Sequence, residues 1–357
     1  MMDKRLDNRL PGISPTAWPA LLARISEIDE FKGWWKGRFH PPPSYLGSLR
    51  KKTTALSARA SVGIEWLGLP RGGDGPASAL PPARAEELRQ SSSASYAHLL
   101  NAVFDGHETL PLSQETIFNF HGELLRTSPR DQSHRGAYRS LPDRTSFTPR
   151  QTVEAIALRP AAPDSIRGEM DALLRWTNSR LASAAFHPLL VVAGFVLEFL
   201  AIRPFAGGNG RTSRLLTNLL LLRCGYTYLP YASLERVIAE RKAEYYLALR
   251  KSQASLHLPR PDMGPWFLAF LDAMRTQARE LKGALGRLPP EGRLSGNQEG
   301  ALALFERHRE VTNRLVAGEL GLSRETAKQV LTRLVSLNLL ARVGAGRAVR
   351  YRKTEPA

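Results

Sequence analysis

The segment 203–214, RPFAGGNGRTSR, gathers residue types that hold anions. Gly207, Gly208 and Gly210 free the backbone for conformations barred to residues with a Cβ. A leucine-rich run begins just after Arg211. The first N–H groups of a helix lack internal partners and carry partial positive charge, so a glycine turn feeding a helix start is an anion site. Arg211 and Arg214, three residues apart, share one helical face and can add two guanidinium forks to the same anion. The alternative is a tight inter-helical turn with two solvated arginines. The spacing is neither GxxxxGK[ST] nor GxGxxG.

Such a loop needs helices on both sides. Apolar residues recur near 3.6 spacing over 83–126, 166–181, 188–202 and 211–224, and further helices are predicted over 44–66, 233–256 and 265–285. Pro70 to Pro82 reads as a break, 127–150 as a long polar and basic connection, and 286–296 as a linker. No β alternation precedes residue 338, so the main body is predicted to be all-α.

The chain has 357 residues, enough for two or three domains. Its net charge of +17 favours polyanionic partners; a general use of Arg as the basic residue is the other source of such an excess. Cys224 is the one cysteine, so no internal disulfide forms and a reducing cytoplasm is expected. The N-terminal MMDKRLDNRLPG holds no apolar signal segment, and the apolar run 189–202 is too short to span a bilayer, so no membrane association is expected.

RPFAGGNGRTSR resembles the signature of the Fic family, His-x-Phe-x-Asp/Glu-Gly-Asn-Gly-Arg-x-x-Arg. Phe205, Gly208, Asn209, Gly210, Arg211 and Arg214 match it, as do His187-Pro188 upstream and Tyr245-Tyr246-x-Ala248-Leu249 downstream. The resemblance spans roughly residues 40–255. It implies a helical domain that transfers AMP from ATP to a protein hydroxyl. Gly208, Asn209, Gly210 and Arg211 would surround the nucleotide phosphates, and Phe205 would anchor the loop. His134 to Arg139 resembles the segment leading into the family's target-docking flap, which implies a protein target near Tyr138. Two positions depart from the family. Arg203 stands where the general-base histidine is expected, and a guanidinium cannot accept a proton. Gly207 stands where the carboxylate that holds Mg²⁺ is expected, and it supplies no side-chain ligand, so no metal site is assigned. Arg203 is read either as a static counter-ion for phosphate or as a solvated side chain.

Ser61 and Glu65 lie at i and i+4 and match the Ser/Thr-x-x-x-Glu pattern of Fic inhibitory helices, with Trp66 where Gly or Asn is expected. The resemblance implies that Glu65 pairs with Arg214 and fills the place of the γ-phosphate. The alternative is a surface glutamate.

Residues 295–357 carry 11 Lys and Arg against 6 Asp and Glu. They read as a winged helix-turn-helix: a helix over 298–308, a short helix over 313–320, a turn at Gly321, a Ser323-capped recognition helix, and a hairpin over 339–351. Arg324 and Lys328 would face a DNA groove, with Arg347 and Arg350 on the wing against phosphates, in a homodimer if a palindrome is read. Protein contact is the alternative use of such a module.

The expected organisation is mainly α: an N-terminal helical inhibitory region (1–90), a Fic-like core (91–256), a connecting helix and linker (257–294), and an α+β winged helix (295–357). The expected function is a cytoplasmic regulator that binds ATP or another nucleotide together with DNA, with weak or lost AMP transfer. An active protein adenylyltransferase with non-standard catalytic residues is the alternative, and a role in interaction alone is a third.

Overall fold

The structure, a computed structural model, describes residues 7, 13–37, 41, 43–66, 82–128, 131–143, 160–258, 260–286, 294–337, 339–344, 346 and 349–354. The predicted break between Pro70 and Pro82 and most of the predicted linker 286–296 lie outside them. The chain is mainly helical: among the described residues there are 13 α-helices and a two-stranded sheet. No described helix is long and apolar enough to cross a membrane. The chain divides into two compact units, residues 1–32 with 53–279, and residues 33–52 with 280–357.

Ten helices come first: α1 (Trp18–Gly37), α2 (Pro43–Trp66), α3 (Pro82–Gly106), α4 (Gln114–Leu124), α5 (Ile166–Ser183), α6 (Pro188–Ile202), α7 (Asn209–Arg223), α8 (Leu234–Glu240), α9 (Lys242–Ser255) and α10 (Gly264–Gly286). At the centre of the first unit is α6, whose residues 189–199 are all buried. Pro188 pre-sets its first turn, and His187 caps it through Nδ1, which accepts from the Leu189 N–H at 3.3 Å. α5, α7 and α9 pack against α6, while α3 and α4 pack against α7.

The helix predicted over 83–126 is two helices. Pro111 offers no N–H, and Ser113 starts a new helix, its Oγ accepting from the Thr116 N–H at 3.2 Å. The helix predicted over 233–256 is likewise two, α8 and α9, which meet at Arg241.

The second unit contains α11 (Gly296–Ala303), a 3₁₀ turn over 304–306, α12 (Asn313–Glu319) and α13 (Arg324–Ser336). β1 (Leu340–Val343) and β2 (Arg350–Lys353) then pair antiparallel, Leu340 opposite Lys353 and Val343 opposite Arg350. Ser295, Thr312 and Ser323 cap the three helices. α13 turns Ala327, Val330, Leu331 and Leu334 into a core that Leu340 and Tyr351 complete from the hairpin.

Candidate anion site at the start of α7

The loop between α6 and α7 is held from inside. Phe205 is fully buried, and its ring stacks on His121 of α4 with centroids 3.7 Å apart and planes 10° apart. Asn209, the first residue of α7, closes the loop on itself: its Nδ2 donates to the Phe205 carbonyl at 2.7 Å, and its Oδ1 accepts from the Phe205 N–H at 3.0 Å. The Asn209 side chain thus uses one amide donor and one acceptor lone pair to hold the loop. Gly208 caps the helix at φ 73°, a conformation that costs a residue with a Cβ.

His121 was not singled out in the sequence. Its Nδ1 accepts from the Gly136 N–H at 2.9 Å, so Nε2 carries the proton and donates to the Gly207 carbonyl at 3.0 Å. Burial pulls its pKa from the usual 6.5 down to about 4; the Gly207 bond opposes this, and the charges of His134 and Arg211 add to it. A histidine whose folded pKa lies below its unfolded one adds stability above about pH 6.5 and loses it as pH falls towards 4. Thermal unfolding midpoints of the wild type are expected to drop across that window, and His121→Gln is expected to flatten that part of the profile. An unchanged profile in the variant would assign the decline to other groups.

α2 carries the counter-charge. Ser57 Oγ donates to Ser233 Oγ at 2.7 Å and Thr54 to Asn101 Oδ1 at 3.1 Å, which fixes this part of the helix beside α3 and α8. The Glu65 carboxylate accepts from Arg211 Nε at 2.8 Å and from Arg214 Nη2 at 3.1 Å. Arg214 also donates to Ser61 Oγ at 2.8 Å and to the Ser61 carbonyl at 2.9 Å. Burial works to raise the Glu65 carboxyl, but Arg211 and Arg214 outweigh it and hold its pKa below the usual carboxylate range. The sequence paired Glu65 with Arg214 alone; the structure adds Arg211. A Cβ on Gly210 would come within 2.8 Å of Glu65 Oε1, so the carboxylate lies almost on the backbone of the first turn.

Arg203 has an acidic partner that the sequence did not reveal. It ends α6 in the left-handed region, φ 49°, and its Nε pairs with Asp143. Arg139 donates from Nε to the Arg203 carbonyl at 2.8 Å and from Nη1 to the Leu141 carbonyl at 3.0 Å, while its own N–H donates to the Pro204 carbonyl at 2.9 Å. Tyr138 packs its ring on Phe118 at 4.6 Å, and its hydroxyl is buried without a hydrogen-bond partner. Residues 136–143 and the loop are thus joined at several points. Asp143 had no local signal in the sequence, because Arg203 lies sixty residues away. His121 had one: it falls on the inward face set by Ile117, Phe120 and Leu124.

The family comparison matches this region. Residues 111–221 match the Fic/DOC family. The matched stretch includes α4, Tyr138, α5, α6, the loop and most of α7. The protein adenylyltransferase Fic of Aedes aegypti and that of Drosophila melanogaster are each 43% identical to this chain over 67 residues, 19% of this chain and 13% of theirs. The match thus spans about an eighth of the length of these relatives. A Fic family protein from Desulfovibrio desulfuricans G20 has a similar fold, with a TM-score of 0.55 at 22% identity over 95% of this chain and 97% of that one. Fic-1 from C. elegans does as well, with a TM-score of 0.53 at 19% identity over 76% of this chain and 74% of that one.

In the second unit, Arg324 and Lys328 are exposed on α13, as is Arg350 on β2. Arg350 Nη1 and Arg352 Nε both donate to Glu310, at 3.3 and 2.6 Å. Arg347 lies outside the described residues.

Proposed function

We propose that the chain is a regulatory protein that binds the phosphates of ATP at the start of α7 without transferring AMP, and binds duplex DNA through residues 295–357. The observation that carries the first part is the carboxylate of Glu65, held by Arg211 and Arg214 against the bare Cα of Gly210. A carboxylate held there by two guanidiniums stands in for a phosphate oxygen pair. Residues 91–256 serve as the nucleotide-binding core, and Ser61 with Glu65 as a built-in competitor for the phosphate. ATP binding requires Glu65 to leave, after which Arg211, Arg214 and the backbone of 208–211 hold the anion.

Transfer is a different matter. The family's base position is a guanidinium committed to Asp143, and it takes no proton from a hydroxyl. Gly207 offers a metal only its carbonyl, already bonded to His121. The residues at 203 and 207 do not fit Mg²⁺. The alternative, an active adenylyltransferase acting on a protein docked near Tyr138, draws support from the relatives named as protein adenylyltransferases.

Incubation with α-labelled ATP and Mg²⁺ separates the two. The wild type is expected to bind ATP in calorimetry and to leave no label on itself or on lysate proteins. Arg203→His/Gly207→Asp is expected to gain labelling. Histidine tolerates the left-handed backbone at 203, and a Cβ at 207 meets nothing within 4 Å. Strong labelling by the wild type would reverse the assignment.

The DNA reading rests on the arrangement of α12, the Gly321 turn, the Ser323-capped α13 and the β1–β2 hairpin, which has the order of a winged helix with exposed Arg324 and Lys328. The full chain is expected to shift duplex DNA in gels, with affinity falling as salt rises. Arg350→Ala/Arg352→Ala is expected to reduce the salt slope by about 2, while Arg324→Ala costs about 1–3 kcal/mol on a preferred site only. No shift of any duplex at low salt would reassign the module to protein contacts.

A further inference from the structure

Glu310 lies between the 3₁₀ turn and α12, where the chain touches the hairpin. The Val311 N–H donates to the Tyr351 carbonyl at 3.0 Å, and the Tyr351 N–H donates to the Val311 carbonyl at 2.9 Å, so the two residues form an antiparallel bridge. Side chains alternate along extended backbone. Val311 and Tyr351 turn into the core of the module, which puts Glu310, Arg350 and Arg352 together on the opposite face. There Glu310 Oε2 accepts from Arg350 Nη1 at 3.3 Å and Oε1 accepts from Arg352 Nε at 2.6 Å. Both guanidiniums remain open to solvent, each side chain 59% exposed. Ion pairs this exposed add little to folding. This one does place a single carboxylate on the two hairpin cations that the DNA reading assigns to backbone phosphates.

We infer that Glu310 is a built-in competitor for the hairpin arginines, which lowers the affinity for every duplex alike and leaves sequence preference to α13. This deepens the DNA-binding reading and rests on it. A phosphate that takes Arg350 and Arg352 must displace the carboxylate, because both oxygens of Glu310 already occupy their donors. The freed carboxylate then draws a cation from solution while the DNA sheds its own. One counterion fewer is released overall, so the slope of affinity against salt is shallower by about 1 than the arginines alone would give. A slope difference of 1 is about tenfold in affinity for each tenfold change in salt.

The test is fluorescence anisotropy of the full chain with two labelled DNA duplexes of unrelated sequence, over a salt series. Glu310→Gln is expected to bind both duplexes about tenfold more tightly than the wild type at about 0.1 M salt, with a slope steeper by about 1. Glu310→Asp keeps the charge and is expected to stay near the wild type. Glu306→Gln removes the same charge from an exposed residue of the 3₁₀ turn and is expected to change affinity less than about twofold. Thermal midpoints of all three variants are expected to match the wild type, since the pair is exposed. Equal gains from Glu310→Gln and Glu306→Gln would reduce the effect to net charge and overturn the competitor, as would no gain at all, with DNA binding left in place. A gain on one duplex only would assign Glu310 to base readout and overturn the inference as stated. Absence of binding by both the wild type and Glu310→Gln at low salt would overturn the DNA reading and this inference together.

Discussion

Phe205→Ala is expected to destabilise the first unit by about 3–5 kcal/mol and to abolish ATP binding. The ring is fully buried and lies against His121, with Tyr138, Phe118 and Phe199 at centroid distances of 5.7, 6.4 and 6.5 Å. Deleting it leaves a hole whose walls belong to three separate segments, none of which can collapse into it alone. The loss also reaches the site directly, because both polar groups of Asn209 bond the Phe205 backbone and the start of α7 is set by that clamp. Phe205→Leu keeps most of the volume and is expected to cost less than half as much. Denaturant unfolding and ATP calorimetry on both variants check this. A loss below about 1 kcal/mol for alanine would mean that the loop is positioned by other contacts.

The second large effect is at Arg214, whose side chain is 7% exposed. Arg214→Ala is expected to cost about 3 kcal/mol. It strips donors from the Ser61 hydroxyl, the Ser61 carbonyl and Glu65 at once. Arg211 keeps the carboxylate partly neutralised and sets the upper limit of the loss. Glu65→Gln leaves Arg214 buried with less compensation, and the double variant Glu65→Gln/Arg214→Met is expected to cost less than the sum of the two. Additivity within about 0.5 kcal/mol would show that the pair is not coupled.

How much of this could be read from the chain follows from where each signal lives. Helices α5, α6 and α7 were legible because their apolar residues repeat at helical spacing and their ends carry Pro188, Gly208 and Gly210. The candidate anion site was legible because glycines and arginines cluster within twelve residues. The break at Pro111 was missed because the apolar period continues across it, although Ser113 followed by Thr116 marks a new start. Asn209 was assigned to the phosphate on its position in the motif; that its amide also clamps the loop was not legible. The sequence placed Arg203 correctly at the end of α6 but could not reveal Asp143 as its partner. A contact across sixty positions leaves no local trace, and the nearby acidic and basic residues offered many equally good pairs.

The ties between residues 136–143 and the loop have a thermodynamic consequence. Gly136 reaches the loop through His121, Arg139 through the Arg203 and Pro204 carbonyls, and Asp143 through the Arg203 side chain. Residues 136–143 cannot shift without straining or breaking bonds to the loop that opens α7. If the loop holds the proposed anion, a ligand that favours one position of 136–143 changes the affinity for that anion, and the anion must change the affinity for that ligand by the same factor. Occupancy at the two places would then be one equilibrium seen from two ends, even though no residue belongs to both.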